Sequence, residues 1–443
     1  MRHARRRGRF LAALSMTALS MAALLMAALA SATPRDARVV AEVDGVALTR
    51  PVLDVFLASA RMHDPAVEPL QVLENLVDIH LMGEWYRQNH AAGAEPARVG
   101  YNRATRVDRD TAALIRVAYR DELAAALTAS GWASPLDALQ GELNLDRKAL
   151  RPILSADSGL RQTLNPAQRR AARAWVVAEY RFPAAGPRQL TLADLYDAQN
   201  IALKTRFHNL DTLAMANAAD DWVRRAFVLD WFERRSPLEE EERAWVRQLV
   251  LDRLDQRALI RTLGLSDDPH DDNTRLREVA DGISDKEIRR YYQLHRDHFR
   301  RVEKVRAARL YLPTQALADE ARARLDGGAS LPELAEAYAD QEGVVYRKPA
   351  WLERGDGEDA WLVGFAFTLQ QGAVSPPARV PGQARWVILR VDRRQEGFQA
   401  ADSEAVRYQA SRVLARERLQ ERLRTGLARR HASAGVRFHA EAL

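Results

Sequence analysis

No cysteine occurs among the 443 residues, so the fold rests on no disulfide and the chain offers neither a thiol nucleophile nor a thiolate metal ligand. Histidine is scarce too: there are ten, and none lies between His298 and His431. The sequence holds no glycine-rich phosphate loop, no internal repeat and no low-complexity tract, which leaves nucleotide chemistry without a cradle. Basic charge is less abundant than it looks. Of the net +6, five charges are arginines in residues 1–9, and residues 33–443 carry only +1. Nucleic-acid binding needs a clustered basic surface, so the mature chain is expected to have no nucleic-acid partner. The length suits two or three domains, each stabilised by buried apolar area.

What is present begins with a leader. After the arginines, Leu11–Leu29 is almost wholly apolar, and Ala30-Ser31-Ala32 supplies the small-x-small pattern of a signal-peptide cleavage site. Residues 1–32 therefore read as a signal peptide cut after Ala32. The apolar run also reaches the ~20 residues that span a bilayer, so an uncleaved, membrane-anchored form is the alternative.

Residues 33–300 read as mainly helical. Val39–Leu48 alternates as a small hairpin turning at Asp44-Gly45, and Thr49 is placed to cap the helix that follows, with Pro51 in its first turn. Leu70–Gln88 carries a helical apolar stripe, and Asp110–Thr128, Ala167–Tyr180, Thr191–Leu203 and Ala216–Phe232 also read as helices. Four glutamates at 239–242 open a further helix that runs to Leu263 and stops at Gly264. Ser284-Asp-Lys-Glu287 is a capping box for a helix over Ile288–Phe299, and Ser403–Arg430 is a long charged helix. Asp220-Asp221 beside Trp222 reads as a helix start, and the acidic 266–273 loop lacks the spacing of a calcium loop. His295 and His298 have no further ligands to complete a closed metal site, so no metal is expected.

The stretch from Glu303 to Arg394 has a different grammar. Lys304–Leu312 reads as a strand, Ala316–Leu325 as a helix closed by Gly327-Gly328, and Pro332–Tyr338 as a short helix capped by Ser330. After a Gly/Trp-containing loop come Phe365-Ala-Phe-Thr-Leu-Gln-Gln-Gly-Ala-Val-Ser375 and a strong closing strand, Arg385–Val391.

This order, with Phe367, Leu369, Gly372, Val374 and Ser375 in an FxLxxGxVS pattern, resembles the parvulin-type (PpiC-like) peptidyl-prolyl isomerase domain. The "VDGVALTR" opening at 43–50 and "ISDKEIRRYYQLHRDHF" at 283–299 extend the resemblance to the chaperone-foldases of the SurA, PpiD and PrsA group. The resemblance implies a mainly α fold with an α+β parvulin-like domain at 301–396, a helical chaperone-like region at 33–300, and a C-terminal helix and tail at 397–443. It also implies that the tail, with Gly435–Phe438 as a strand, returns to the N-terminal region. In the family, histidines occupy two positions that match Arg309 and Trp386, and its Cys or Asp position matches Gln341. Leu352, Leu362, Phe367 and Trp386 match the substrate pocket. With both histidines replaced, the resemblance implies binding of unfolded or proline-containing polypeptides, with weak or absent isomerisation and no cofactor. The place implied is periplasmic or otherwise extracytoplasmic. The alternative is a non-enzymatic assembly protein dedicated to one partner in a secretion or biosynthetic complex.

Overall fold

A computed structural model describes residues 38–90, 100–154, 163–183, 185–268, 273–354 and 360–443. The leader, and part of the acidic 266–273 loop, lie outside these residues. The chain divides into two compact units: residues 1–259 with 425–443, and residues 260–424.

The first unit opens on strands β1 (Val39–Val43) and β2 (Val46–Thr49), an antiparallel hairpin. Its turn sits where the sequence placed it, with Asp44 and Gly45 at φ 51 and 75, conformations that the Asp-Gly pair tolerates. Helices α1 (Arg50–Arg61), α2 (Pro69–His90), α3 (Arg103–Ala118), α4 (Arg120–Ala129), α5 (Arg147–Leu154) and α6 (Pro166–Ala174) follow. Then come the hairpin β3 (Val176–Tyr180) and β4 (Arg188–Thr191), and helices α7 (Leu192–Asp197), α8 (Ile201–His208), α9 (Thr212–Arg235) and α10 (Glu240–Thr262).

Four expectations need correction here. Thr49 stands at the cap position of α1, but its hydroxyl donates to Glu242 Oε1 at 2.7 Å and not to its own helix. The helix expected over 110–128 is two helices that break at Tyr119, whose ring packs 5.3 Å from that of Trp231. The one expected over 191–203 also divides, because the Asn200 side chain accepts from Leu203 N and starts α8 afresh. The helix expected over 167–180 ends at Ala174; β-branched Val176-Val177 and then Tyr180 enter a strand, because β4 supplies a partner that propensity alone cannot show.

Helices α2, α3 and α10 enclose a charged cluster. Asp252 and Asp255 are fully buried; Arg87 Nη1 reaches Asp252 Oδ1 at 2.5 Å and Asp255 Oδ2 at 2.7 Å, and Arg103 meets Asp255 Oδ1 at 2.5 Å. His80 Nδ1 and Gln248 Nε2 each lie 2.7 Å from Asp252. Burial pulls the Arg87 guanidinium down, but its bonds and attraction to the two carboxylates outweigh this and hold it above its ordinary value. Gly83 permits the approach: a Cβ there would stand 2.9 Å from the Asp252 Cα.

The second unit holds α11 (Thr274–Asp281), α12 (Asp285–Leu294), β5 (Arg300–Leu312), α13 (Gln315–Asp326), α14 (Leu331–Ala337), β6 (Val345–Glu353), α15 (Ala360–Thr368), β7 (Ala378–Arg379), β8 (Trp386–Phe398) and most of α16 (Glu404–Ser433). Its four-stranded sheet runs β6-β5-β8-β7 with every pair antiparallel. β6 and α15 form where the sequence pattern predicts no regular element. The Ser284 and Ser330 capping boxes form as expected. The helix expected over 288–299 ends at Leu294, and Arg296–Phe299 tightens into a 3-10 turn.

After α16 comes β9 (Arg437–Phe438), which pairs with β1 through Ala41↔Phe438 and Glu42↔Arg437 and makes a three-stranded sheet in the first unit. Asp44 N donates to Ala434 O at 2.8 Å and His439 N to Val40 O at 2.9 Å. Among the described residues, no helix is long and apolar enough to cross a membrane.

Candidate functional site

The period of two along β5 and β8 sorts their side chains onto two faces. Val305, Ala307 and Tyr311 of β5 join Val387, Leu389 and Val391 of β8 in a cluster with Leu352 of β6 and with Leu362, Val363 and Ala366 of α15. Ala308, Leu310 and Leu312 join Ile388 on the other face, beneath α13 and α14. Arg309 lies between Ala307 and Tyr311 and is paired with Leu389, so it belongs to the α15 face. Trp386 is paired with Leu312 and packs against the α13–α14 cluster.

The expected pocket therefore needs correction. Leu352, Leu362 and Phe367 are brought together, but Trp386 is not with them: one strand position separates it from Val387, and that is enough to send it to the other face. Gln341 is exposed in the turn between α14 and β6, where its carbonyl accepts from Val344 N at 3.3 Å. Leu362 is 2% exposed, whereas Phe367 is only half-buried and lies under the Arg354 guanidinium, 4.7 Å from its ring centroid.

The FxLxxGxVS residues have a structural task of their own. Gly372 takes φ 82, which favours glycine, and its N–H donates to Val391 O at 2.7 Å. Ser375 is fully buried: its N–H donates to Leu389 O at 2.8 Å, its hydroxyl accepts from Leu389 N at 2.9 Å and donates to Pro376 O at 2.8 Å. The motif thus finishes the hydrogen bonding of β8 beyond the reach of the two-residue β7, and so fixes Leu389 beneath α15.

Sequence reasoning missed three cations of this face. Arg354 Nε donates to Val302 O at 3.1 Å, Arg385 lies 4.3 Å from the Tyr311 ring centroid, and Arg394 donates to Leu369 O. Their signal was faint, since arginine is common throughout the chain and only knowledge of the strand faces separates these from the rest.

His295 and His298 stack with ring centroids 5.3 Å apart, and Tyr291 Oη sits 3.4 Å from His298 Nδ1. Burial, with the Glu417 charge, pushes the Tyr291 hydroxyl above its ordinary value. Asp221 is engaged by Arg109 and Arg225 at 2.6 and 2.8 Å. Among the described residues, no group of three or more His, Cys, Asp or Glu is placed to hold a metal ion.

An antiparallel sheet with two helices on one face, one on the other and a glycine-serine edge defines an α+β domain. Residues 283–407 match the family described as the PPIC-type PPIase domain, Rotamase_2, so this segment is a parvulin-type domain. Comparison with curated proteins gives no match. Among solved structures, the peptidylprolyl isomerase PrsA from Bacillus anthracis is similar at 16% identity, covering 52% of this chain and 90% of that one, with a TM-score of 0.18. PrsA from Bacillus subtilis gives 13% identity, 56% and 89% coverage and a TM-score of 0.17. A structure from the study of PEB4 and Cj1289, two SurA-like chaperones of Campylobacter jejuni, gives 15%, 48% and 93%, with a TM-score of 0.20. TM-scores this low carry no argument about arrangement or mechanism.

Proposed function

We infer that the chain is an extracytoplasmic folding factor whose parvulin-type domain binds polypeptide and accelerates prolyl isomerisation weakly or not at all. One observation carries this reading: the positions matching the family's two histidines hold Arg309 and Trp386, whose side chains belong to opposite faces of the sheet. No histidine lies between His298 and His431 to take their place. Isomerisation of an X-Pro bond crosses a barrier of about 18–20 kcal/mol and needs no nucleophile, only a site that suits the twisted amide better than the planar one. A permanently charged guanidinium supplies donors but no acceptor, so Arg309 cannot exchange roles as an imidazole does. The apolar neighbourhood of Leu352 and Phe367 would still accept a proline ring.

Proline-limited refolding of a client is expected to be accelerated far less than by a parvulin that has the histidine pair, while binding of proline-containing peptides persists. Strong acceleration that disappears on changing Arg309 would sink this reading. The location rests on the leader. The mature protein is expected to begin at Thr33, and mass spectrometry of its N-terminus decides the matter, since membrane-extracted protein still beginning near Met1 would establish the anchored form.

A further inference from the structure

In the first unit, α3, α7 and α9 meet around a cleft of about 270 Å³. Thr105 and Asp108 of α3, Asp194 and Asp197 of α7, and Trp222 and Arg225 of α9 line it, and Leu229 adds to the apolar side. Asn102 ties two of these helices together: its Oδ1 accepts from Thr105 N at 2.8 Å and its Nδ2 donates to Asp197 O at 2.7 Å. The cleft belongs to a different unit from the apolar cluster of the parvulin-type domain.

The charges of its wall are unevenly answered. Arg225 is engaged by Asp221 at 2.8 Å, and Asp197 by Arg169 at 2.6 Å. Asp108 has Arg247 only at 3.5 Å, and that guanidinium lies closer to Glu233. Asp194 accepts from the uncharged Thr191 hydroxyl at 2.6 Å and has no cation partner among the described residues. Thr105 is 8% exposed, yet its hydroxyl has no hydrogen-bond partner among the described residues. Burial also holds the Arg225 guanidinium below its ordinary value, so charges in this wall are poorly hydrated and attract across the cleft with less screening.

A lysine side chain answers each part of such a wall. Its ammonium brings three donors and no acceptor, and its four-carbon stem is apolar. A buried hydroxyl without a partner is costly, and an incoming donor relieves that cost. We propose that the cleft is a second polypeptide-binding site that takes a lysine side chain, with the stem along Trp222 and Leu229 and the ammonium held by the Thr105 hydroxyl and the Asp108 and Asp194 carboxylates. This rests on the polypeptide-binding reading above and adds to it a side-chain preference outside the parvulin-type domain.

The test uses the full chain and fluorescein-labelled, amidated peptides of one proline-containing sequence that carry Lys, norleucine or Glu at a single position. Norleucine keeps the stem and removes the charge. The Lys peptide is expected to bind about tenfold more tightly than the norleucine peptide, as charge-assisted bonds imply, and the Glu peptide more weakly than either. Raising the salt concentration should narrow the gap. Asp108→Asn and Thr105→Val should each reduce the Lys preference. The Asp108 side chain is 47% exposed, so its variant is expected to melt like the parent and keeps the test valid if Thr105→Val misfolds. An n-butylammonium salt at the concentration of the Lys peptide should leave that peptide in place; displacement would assign the cleft to free amines and overturn the side-chain proposal. A Lys preference that survives in both variants, or equal binding of the Lys and norleucine peptides, would overturn the cleft proposal alone. No binding by any peptide would overturn the polypeptide-binding reading beneath it.

Discussion

Replacing Asp252 by alanine is expected to cost the unit formed by 1–259 and 425–443 about 3–5 kcal/mol, the usual effect of breaking a buried ion pair from one side. The carboxylate is fully buried and receives Arg87, His80 and Gln248. Its removal leaves the Arg87 charge facing Asp255 alone, and His80 and Gln248 lose the acceptor that holds α10 to α2. Asp252→Asn should cost less, because the amide oxygen still accepts while its NH2 opposes one of the three donors. Urea denaturation followed by tryptophan fluorescence measures both, and Trp245, whose ring centroid lies 4.9 Å from that of His80, reports on this region. An alanine variant within about 1 kcal/mol of the parent would show that the network is solvated and dispensable.

Leu362→Ala is expected to destabilise the second unit by about 2–5 kcal/mol, the range for truncating a buried leucine. Phe367→Ala should cost less, since the ring is only half-buried and the Arg354 contact is worth about 0.5–1 kcal/mol at such a site. Its main effect should be weaker peptide binding. Leu362, and not the phenylalanine that heads FxLxxGxVS, is the buried anchor of this cluster. Denaturation curves and peptide titrations on both variants decide it. A Phe367→Ala variant that unfolds more readily than Leu362→Ala, with unchanged peptide binding, would make Phe367 the core anchor instead.

What could be read from the chain depended on whether an element shows its period locally. Helices α10 and α16 did, because each sets apolar residues against charged ones. Helix α15 did not. Its AWLVGFAFT sequence is apolar all round, and a helix without a polar side has no stripe to detect. Strand β6 was hidden by Arg347, Lys348 and Pro349, residues that suit an unpaired sheet edge and obscure alternation. β3 reads as helix locally because its partner β4 lies beyond a turn. Leu352, Leu362 and Phe367, named by the motif, do fall in one apolar cluster. Which face Trp386 serves was not legible, since β-strand register is settled by neighbours that the motif does not name.

The pairing of β9 with β1 also sets an order of events during synthesis. Ala41 is delivered long before Phe438, so the outer edge of β1 stays open while all the residues between them are made. The 260–424 unit, by contrast, is complete as soon as Arg424 appears. The unit that holds β1 thus starts before the 260–424 unit and finishes after it, bearing the loop-closure cost of joining two segments far apart in sequence. Until that moment its exposed strand edge is itself the kind of unfinished surface that misassembles, and a translation pause or truncation before Arg437 would leave a protein with one finished unit and one unfinished sheet.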